Sequence, residues 1–373
     1  MTQPFATVPA RSVRTSDTTR QEPPIRLMIV DDSPIARAVL SRMLSAHKDF
    51  EIVALAGNAG EALDALKSIR VDIVLLDVEM PGTTGLQALP EILKRGQGAR
   101  VLIVSSICEE GAEATVRALA LGAADTLPKP GTGTFAGRFS EVLAERLRRI
   151  GRVDLAKVDG PRPSAVETVD VTLRAMPDSA LSCLALGAST GGLYALGEFL
   201  KALPGPIDAP ILVTQHLPDV FMPFFARQIA AASGRRAQVA LERMPLQPEQ
   251  IFIAPGNAHL CLARSGRGVC VALSRAPASS GCLPSVDNML WSVSEIYGRN
   301  GLGIIFSGMG RDGLGGSAGL VDSGGAVLVQ DQQTSAVWGM PRAVAEAGLA
   351  SAVLSPPDLA ARIVARVQGT PWR

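Results

Sequence analysis

The chain has 373 residues, 47 % of them apolar and 19 % charged; that length favours two domains over one core, and the composition is too apolar for a disordered protein. Thirty-six Lys and Arg against 35 Asp and Glu leave a net charge of +1, which supplies no general field for nucleic acid or an anionic membrane. Five scattered cysteines (Cys108, Cys183, Cys261, Cys270, Cys282) form no C-x-x-C pair, so reduced thiols are expected in place of a disulfide framework or a structural metal site.

Residues 1–24, rich in Thr, Arg, Gln, Ser and Pro, contain no apolar signal region and read as a disordered tail. With no run long enough to span a bilayer, the expected setting is the cytoplasm, without membrane insertion. Over residues 25–150, apolar runs (IRLMIV, FEIVALA, VDIVLL, RVLIV and the short ADTL) alternate with amphipathic stretches, ending in a helix from about Phe135 to Ile150. Fully apolar strands alternating with helices predict an α/β domain with a parallel sheet covered on two faces. Residues 151–180 are polar and contain several prolines, as expected of an interdomain linker. The alternation restarts at LSCLALG and continues through PILVTQ, IFIA, LGIIFS and AVLVQ, with helices expected at Leu193–Ala202, Pro223–Ala232, Val286–Tyr297 and Leu359–Val367. HLCLARSGRGVCVAL reads as an antiparallel hairpin turning at Ser265 to Gly268. Residues 181–373 are therefore a second α/β domain, with a mostly parallel sheet and a hairpin.

In a parallel sheet the carboxyl ends of the strands share one edge, where ligands bind. In the first domain that rule gathers Asp31, Asp32, Asp77, Ser105 and Lys129. Three carboxylates together repel one another and call for a hard divalent cation, and Mg²⁺ with oxygen ligands fits. Asp77 can then accept a phosphoryl group, with Lys129 balancing its charge and Ser105 hydrogen-bonding it. The segments VDDSP, LLDVEMPGTTGL, IVSS and PKP resemble the receiver domain of two-component response regulators. The resemblance implies a flavodoxin-like fold, an aspartyl-phosphate at Asp77, Mg²⁺ held by Asp32 and Asp77 with Asp31 nearby, a cis bond before Pro130, and a histidine kinase as phosphodonor. Two features depart from the family. Thr126 stands where an aromatic switch residue is usual, three before the lysine, and Thr83 and Thr84 replace the more usual Met-Asp pair before Gly85.

In the second domain, GASTGG at Gly187 to Gly192 fits G-x-S-x-G between a strand and a helix, presenting the Ser189 hydroxyl on a sharp turn. The same turn could cradle a phosphate. Of the three histidines, His47 belongs to the first domain, His216 ends the strand PILVTQ at the edge that bears Ser189, and His259 precedes the hairpin. Position favours His216 as the base. Asp312 in GMGRDG follows the strand LGIIFS at that edge and is the favoured orienting acid, with Asp287 as competitor. Backbone N–H groups of the SGMG loop, above all that of Met309, and a donor near Thr190 are candidates for an oxyanion hole. The order Ser, His, Asp is not that of α/β-hydrolases.

GASTGG, TQHLP, IFIAPGNAH, PSVDNML, GMGRDG and TSAVWGMPR resemble the catalytic domain of chemotaxis protein-glutamate methylesterases, the CheB family, from about Leu181 to Val367. The resemblance implies Ser189 as nucleophile, His216 as general acid/base and Asp312 as its partner. It also implies hydrolysis of glutamate γ-methyl esters and deamidation of glutamines on chemoreceptors, with no cofactor in the catalytic domain. Leu283 stands where the family often has arginine. The unphosphorylated receiver is expected to pack over the catalytic edge and to loosen on phosphorylation. A non-catalytic response regulator with a phosphorylation-gated binding module is the alternative; no helix-turn-helix or arginine stripe supports a DNA-binding output.

Overall fold

The alternation of apolar and amphipathic segments becomes two parallel sheets in a computed structural model that describes residues 23–105, 109–129, 136–151, 171–203, 205–266 and 268–367. The tail to residue 22, Cys108 and the bond before Pro130 fall outside the described residues. In the first domain β1 (Ile25–Val30), α1 (Pro34–Ser45), β2 (Phe50–Ala56), α2 (Ala59–Ala65), β3 (Ile73–Leu76), α3 (Gly85–Arg95), β4 (Arg100–Ser105), α4 (Glu109–Ala120), β5 (Asp125–Pro128) and α5 (Ala136–Gly151) follow in chain order. The strands pair in parallel in the order β2-β1-β3-β4-β5, the flavodoxin-like arrangement. All four residues of β3, IVLL, are buried, as a central strand covered on two faces requires.

Local signals set the helix starts. Ser33 caps α1, whose first residue is Pro34, and Asn58 caps α2 by accepting from the Glu61 N–H at 3.0 Å. Thr84 and Gln87 close a capping box at α3: Thr84 Oγ1 accepts from Gln87 N at 3.2 Å and Gln87 Oε1 from Thr84 N at 3.0 Å. The unusual Thr84 therefore has a structural task, starting the helix that follows Asp77.

The second domain runs β6 (Cys183–Ala188), α6 (Gly192–Ala202), β7 (Ile211–Gln215), α7 (Met222–Ser233), β8 (Ala237–Val239), β9 (Ile251–Ile253), β10 (His259–Ser265), β11 (Gly268–Ser274), α8 (Val286–Tyr297), β12 (Gly301–Ile305), α9 (Leu314–Asp322), β13 (Ala326–Gln330), α10 (Met340–Glu346), β14 (Ala350–Leu354) and α11 (Pro356–Val367). Seven strands pair in parallel in the order β14-β13-β12-β6-β7-β9-β8, and β10 and β11 form the separate antiparallel hairpin. The chain leaves β6 toward β7 on one side and returns to place β12 on the other, so β6 and β12 flank the topological switch point where open α/β sheets bind ligands. Four elements had weak sequence signals: β8 has three residues, α10 has seven, α9 (LGGSAGLVD) is rich in glycine, and β14 (ASAVL) carries two alanines and a serine.

The two domains touch through α4, which packs on α6 and α7. Val116 and Leu119 of α4 share one buried apolar cluster with Leu193, Phe221 and Met222 of the second domain. Residues 171–180 carry no helix or strand, yet they lie on the second domain. Arg174 N donates to Ala350 O at 2.9 Å, and Arg366 Nη2 donates to Ser179 O at 2.6 Å. Among the described residues no helix is long and apolar enough to cross a membrane.

Candidate active site

The nucleophile candidate sits where β6 turns into α6. Ser189 N donates to Ser307 O at 3.0 Å, and Gln215 Nε2 donates to Ser189 O at 2.8 Å, so the turn is tied to the ends of the two flanking strands. Glycine is needed here. Gly191 has φ +74°, and a Cβ on it would lie 2.4 Å from the Ala336 Cβ; a Cβ on Gly308 would lie 2.4 Å from Met340 Sδ and 2.9 Å from the Ser189 Cβ.

His216 follows β7, and its Nε2 lies 2.8 Å from Asp312 Oδ2. Asp312, buried in the loop after β12, also accepts from Ser285 Oγ at 2.8 Å, Val286 N at 2.7 Å and Asp287 N at 3.3 Å. Three of its four partners are thus at the N-terminus of α8, where the helix dipole favours a carboxylate. Burial works against ionisation of Asp312, but His216 and these donors outweigh it and hold its carboxyl well below the usual range. For His216, burial pulls the pKa down, while Asp312 and Cys282 push it up to about 9. Among the described residues no hydrogen bond joins the ring to the Ser189 hydroxyl.

The two competitors have other tasks. His259 Nδ1 accepts from Ser285 N at 2.9 Å and its Nε2 lies 2.8 Å from Ala276 O, so its two ring nitrogens are occupied in tying the chain just after β11 to the start of α8. Asp287 accepts from Gly316 N at 2.7 Å; burial pushes its carboxyl up to about 6, with the Asp312 charge adding to the rise. The backbone N–H groups of Thr190 and Met309 make no hydrogen bond among the described residues, leaving two donors near Ser189.

The receiver covers this edge. Gly191 N donates to Ala124 O at 2.7 Å across the domains, Thr190 Oγ1 donates to Asp125 Oδ2 at 3.2 Å, and Arg149 Nη1 lies 3.1 Å from Met309 Sδ. Asp125 also pairs with Arg146 at 3.0 Å. What remains is a cavity of about 200 Å³ between Asp125, Arg146 and Arg149 on one side and Ser189, His216 and Cys282 on the other. Sequence reasoning did not single out Asp125, Arg146, Arg149, Ser285 or Cys282, because their roles depend on how separate segments meet.

In the receiver pocket, carboxylate oxygens of Asp31, Asp32 and Asp77 lie within 4.8 Å of one another. Lys129 Nζ bridges Asp31 Oδ2 at 2.9 Å and Asp77 Oδ2 at 2.7 Å. Burial raises the Asp77 carboxyl against the pull of Lys129; for Lys129, burial is outweighed by its bonds to Asp77 and Asp31 and the ammonium is stabilised. An oxygen-only cluster with one exposed carboxylate, Asp32, fits a hard cation such as Mg²⁺. Gly85 lets the chain close on this site, since a Cβ there would lie 1.9 Å from the Asp77 carbonyl oxygen. Ser105 Oγ is 2.8 Å from Thr115 Oγ1 of α4, and on β5 Pro128 lies opposite Ser105 while the buried Thr126 lies opposite Ile103.

Comparison with known proteins gives two family matches, CheB methylesterase over residues 184–363 and response regulator receiver domain over residues 27–134. A protein-glutamate methylesterase/protein-glutamine glutaminase of group 2 operon from Bradyrhizobium diazoefficiens is 35 % identical over 94 % of this chain and 96 % of its own length. Protein-glutamate methylesterase/protein-glutamine glutaminase 2 of Caulobacter vibrioides is 37 % identical, covering 92 % of this chain and 99 % of its own. Protein 1 of the same name from Paramagnetospirillum magneticum is 36 % identical over 90 % and 94 %.

Proposed function

The chain belongs to the CheB methylesterase family, with a response regulator receiver domain ahead of the hydrolase, and from that premise we propose how its own residues carry out and control protein-glutamate methylesterase and protein-glutamine glutaminase chemistry. Ser189 attacks the carbonyl carbon of a glutamate γ-methyl ester while His216 takes its proton. The tetrahedral oxyanion is held by the N–H groups of Thr190 and Met309. His216 returns the proton to the leaving methoxide, methanol departs, and water activated by the same ring hydrolyses the acyl-enzyme to a carboxylate. A glutamine side chain follows the same course with ammonia as leaving group. Asp312 fixes the ring and stabilises its charge.

The observation that carries this reading is the His216 and Asp312 pair, 2.8 Å apart, set beside Ser189 at the switch point of the sheet. Among the described residues the ring makes no hydrogen bond to the Ser189 hydroxyl, and the receiver lies across the same edge. These features support a closed, inactive arrangement that phosphorylation of Asp77 opens. Asp32 and Asp77 would hold Mg²⁺, with Asp31 nearby; the ion supplies neutralisation of phosphoryl charge there, alongside Lys129, while Ser105 supplies a hydrogen bond. The phosphodonor is a histidine kinase, the substrates are methylated cytoplasmic segments of chemoreceptors, and the site of action is the cytoplasm. Four described cysteines, all free, fit that compartment. The domain limits on this reading are receiver 25–150, linker 151–180 and catalytic unit 181–373, with Arg174 and Ser179 of the linker bonded to the catalytic unit.

Methanol release from methylated receptor tests the chemistry. Ser189→Ala should lower turnover on the order of 10⁴- to 10⁶-fold. A variant that keeps more than a tenth of the wild-type rate overturns Ser189 as nucleophile.

A further inference from the structure

The hydrolytic reading gives Cys282 no role, although it stands at the catalytic pair. Cys282 Sγ, a ring nitrogen of His216 and a carboxylate oxygen of Asp312 all lie within 4.8 Å of one another. The loop between β11 and α8 carries the cysteine, pinned by a bond from Cys282 N to Ser280 Oγ at 3.3 Å, and the residue is half-buried on the cavity that Ser189 and Met309 also line. Its donors differ in kind from those of the receiver cluster: sulfur, nitrogen and oxygen here, oxygen alone there. A thiolate and an imidazole select a thiophilic ion such as zinc over magnesium.

Asp312 already accepts four hydrogen bonds, one of them from His216 Nε2 at 2.8 Å. A carboxylate behind an imidazole is the usual support of a metal-bound histidine, orienting the ring and raising its basicity. His216 and Cys282 Sγ then offer a nitrogen and a sulfur to grip an ion, on a cavity that Ser189 also lines and that leaves room for water. We propose that Cys282 and His216, backed by Asp312, form a site for zinc or a similar thiophilic divalent ion, and that an ion bound there switches the hydrolase off by occupying the lone pair that must accept the Ser189 proton. Binding releases the thiol proton to solvent, together with the extra proton of the imidazolium where the ring carries one. No redox step is involved.

The binding half stands without the hydrolytic reading; the inhibitory half rests on it. The test uses the full chain, reduced, with excess Mg²⁺ to fill the receiver cluster, titrated with Co²⁺ as a spectroscopic stand-in for zinc. The expected result is a thiolate-to-cobalt charge-transfer band in the near ultraviolet that saturates at one equivalent and is erased by zinc. Cys282→Ala and His216→Gln lose the band, Ser189→Ala and Cys261→Ala keep it, and Asp312→Asn weakens cobalt binding about 10- to 100-fold. Circular dichroism checks that each variant is folded. In parallel, stoichiometric zinc abolishes methanol release by the wild type, and Cys282→Ala needs at least about tenfold more zinc for the same fractional loss. A folded wild type with no band, or a band that survives Cys282→Ala, overturns the site. A zinc-loaded wild type that still releases methanol at full rate overturns the inhibition. If the band behaves as expected and no form hydrolyses ester, the metal site stands and the hydrolytic reading falls.

Discussion

Asp312 holds two things at once, the His216 ring and the first turn of α8. Replacing it with alanine removes the group that keeps the imidazole in place, and it strands Ser285 Oγ and Val286 N in a buried setting. Turnover should fall about 10⁴-fold, by analogy with loss of the acid in other triads, and unfolding free energy should drop by about 1–3 kcal/mol for the unsatisfied donors. Methanol release and thermal unfolding measure the two effects; a variant as stable as the wild type contradicts the second role. Asp312 was legible in the sequence as a candidate because it follows a strand at the ligand-binding edge. Its donors were not. Val286 is 26 residues upstream of its acceptor, and only the direction of α8 brings them together. Cys282 was hidden for the same reason, being a loop residue whose neighbours are set by three other segments.

Between elements, the contact most exposed to control is that of β5 with the Ser189 turn. Ala124 and Asp125, at the start of the strand, bond Gly191 and Thr190, while Lys129, just past its end, bonds Asp77. One short strand therefore touches the two constellations, and Thr126 in its middle offers no aromatic ring to move. Asp125→Ala removes the acceptor of the Thr190 hydroxyl and the Arg146 partner without touching Ser189, His216 or Asp312. The basal rate, without phosphodonor, should rise by up to about tenfold, the equivalent of about 1.4 kcal/mol of lost closure; an unchanged basal rate in a folded variant would show that this contact does not hold the domains shut. Apolar periodicity marked β1, β2, α8 and β13 to the residue, because each presents a full apolar strand or face. It passed over β8, α9, α10 and β14, which are short or built from glycine and alanine and owe their form to packing against longer neighbours.

At the scale of the whole molecule, the sequence announced two α/β units and the edge on which each carries its chemistry, since strand order of the alternating kind fixes where the carboxyl ends gather. The face along which the units meet could not be read, because α4 shows only an amphipathic helix whose second apolar side has no labelled partner. The apolar cluster shared by α4, α6 and α7 makes the receiver a cover for the hydrolase, and the proposed function therefore couples phosphorylation at Asp77 to ester hydrolysis at Ser189 through a change in that packing. The most direct test is methanol release from methylated receptor by wild type and Asp77→Ala, each with and without a small phosphodonor and Mg²⁺. A donor-dependent rise in the wild type that is absent in Asp77→Ala is the predicted result; a wild type that ignores the donor, or an Asp77→Ala protein that responds equally, would contradict it.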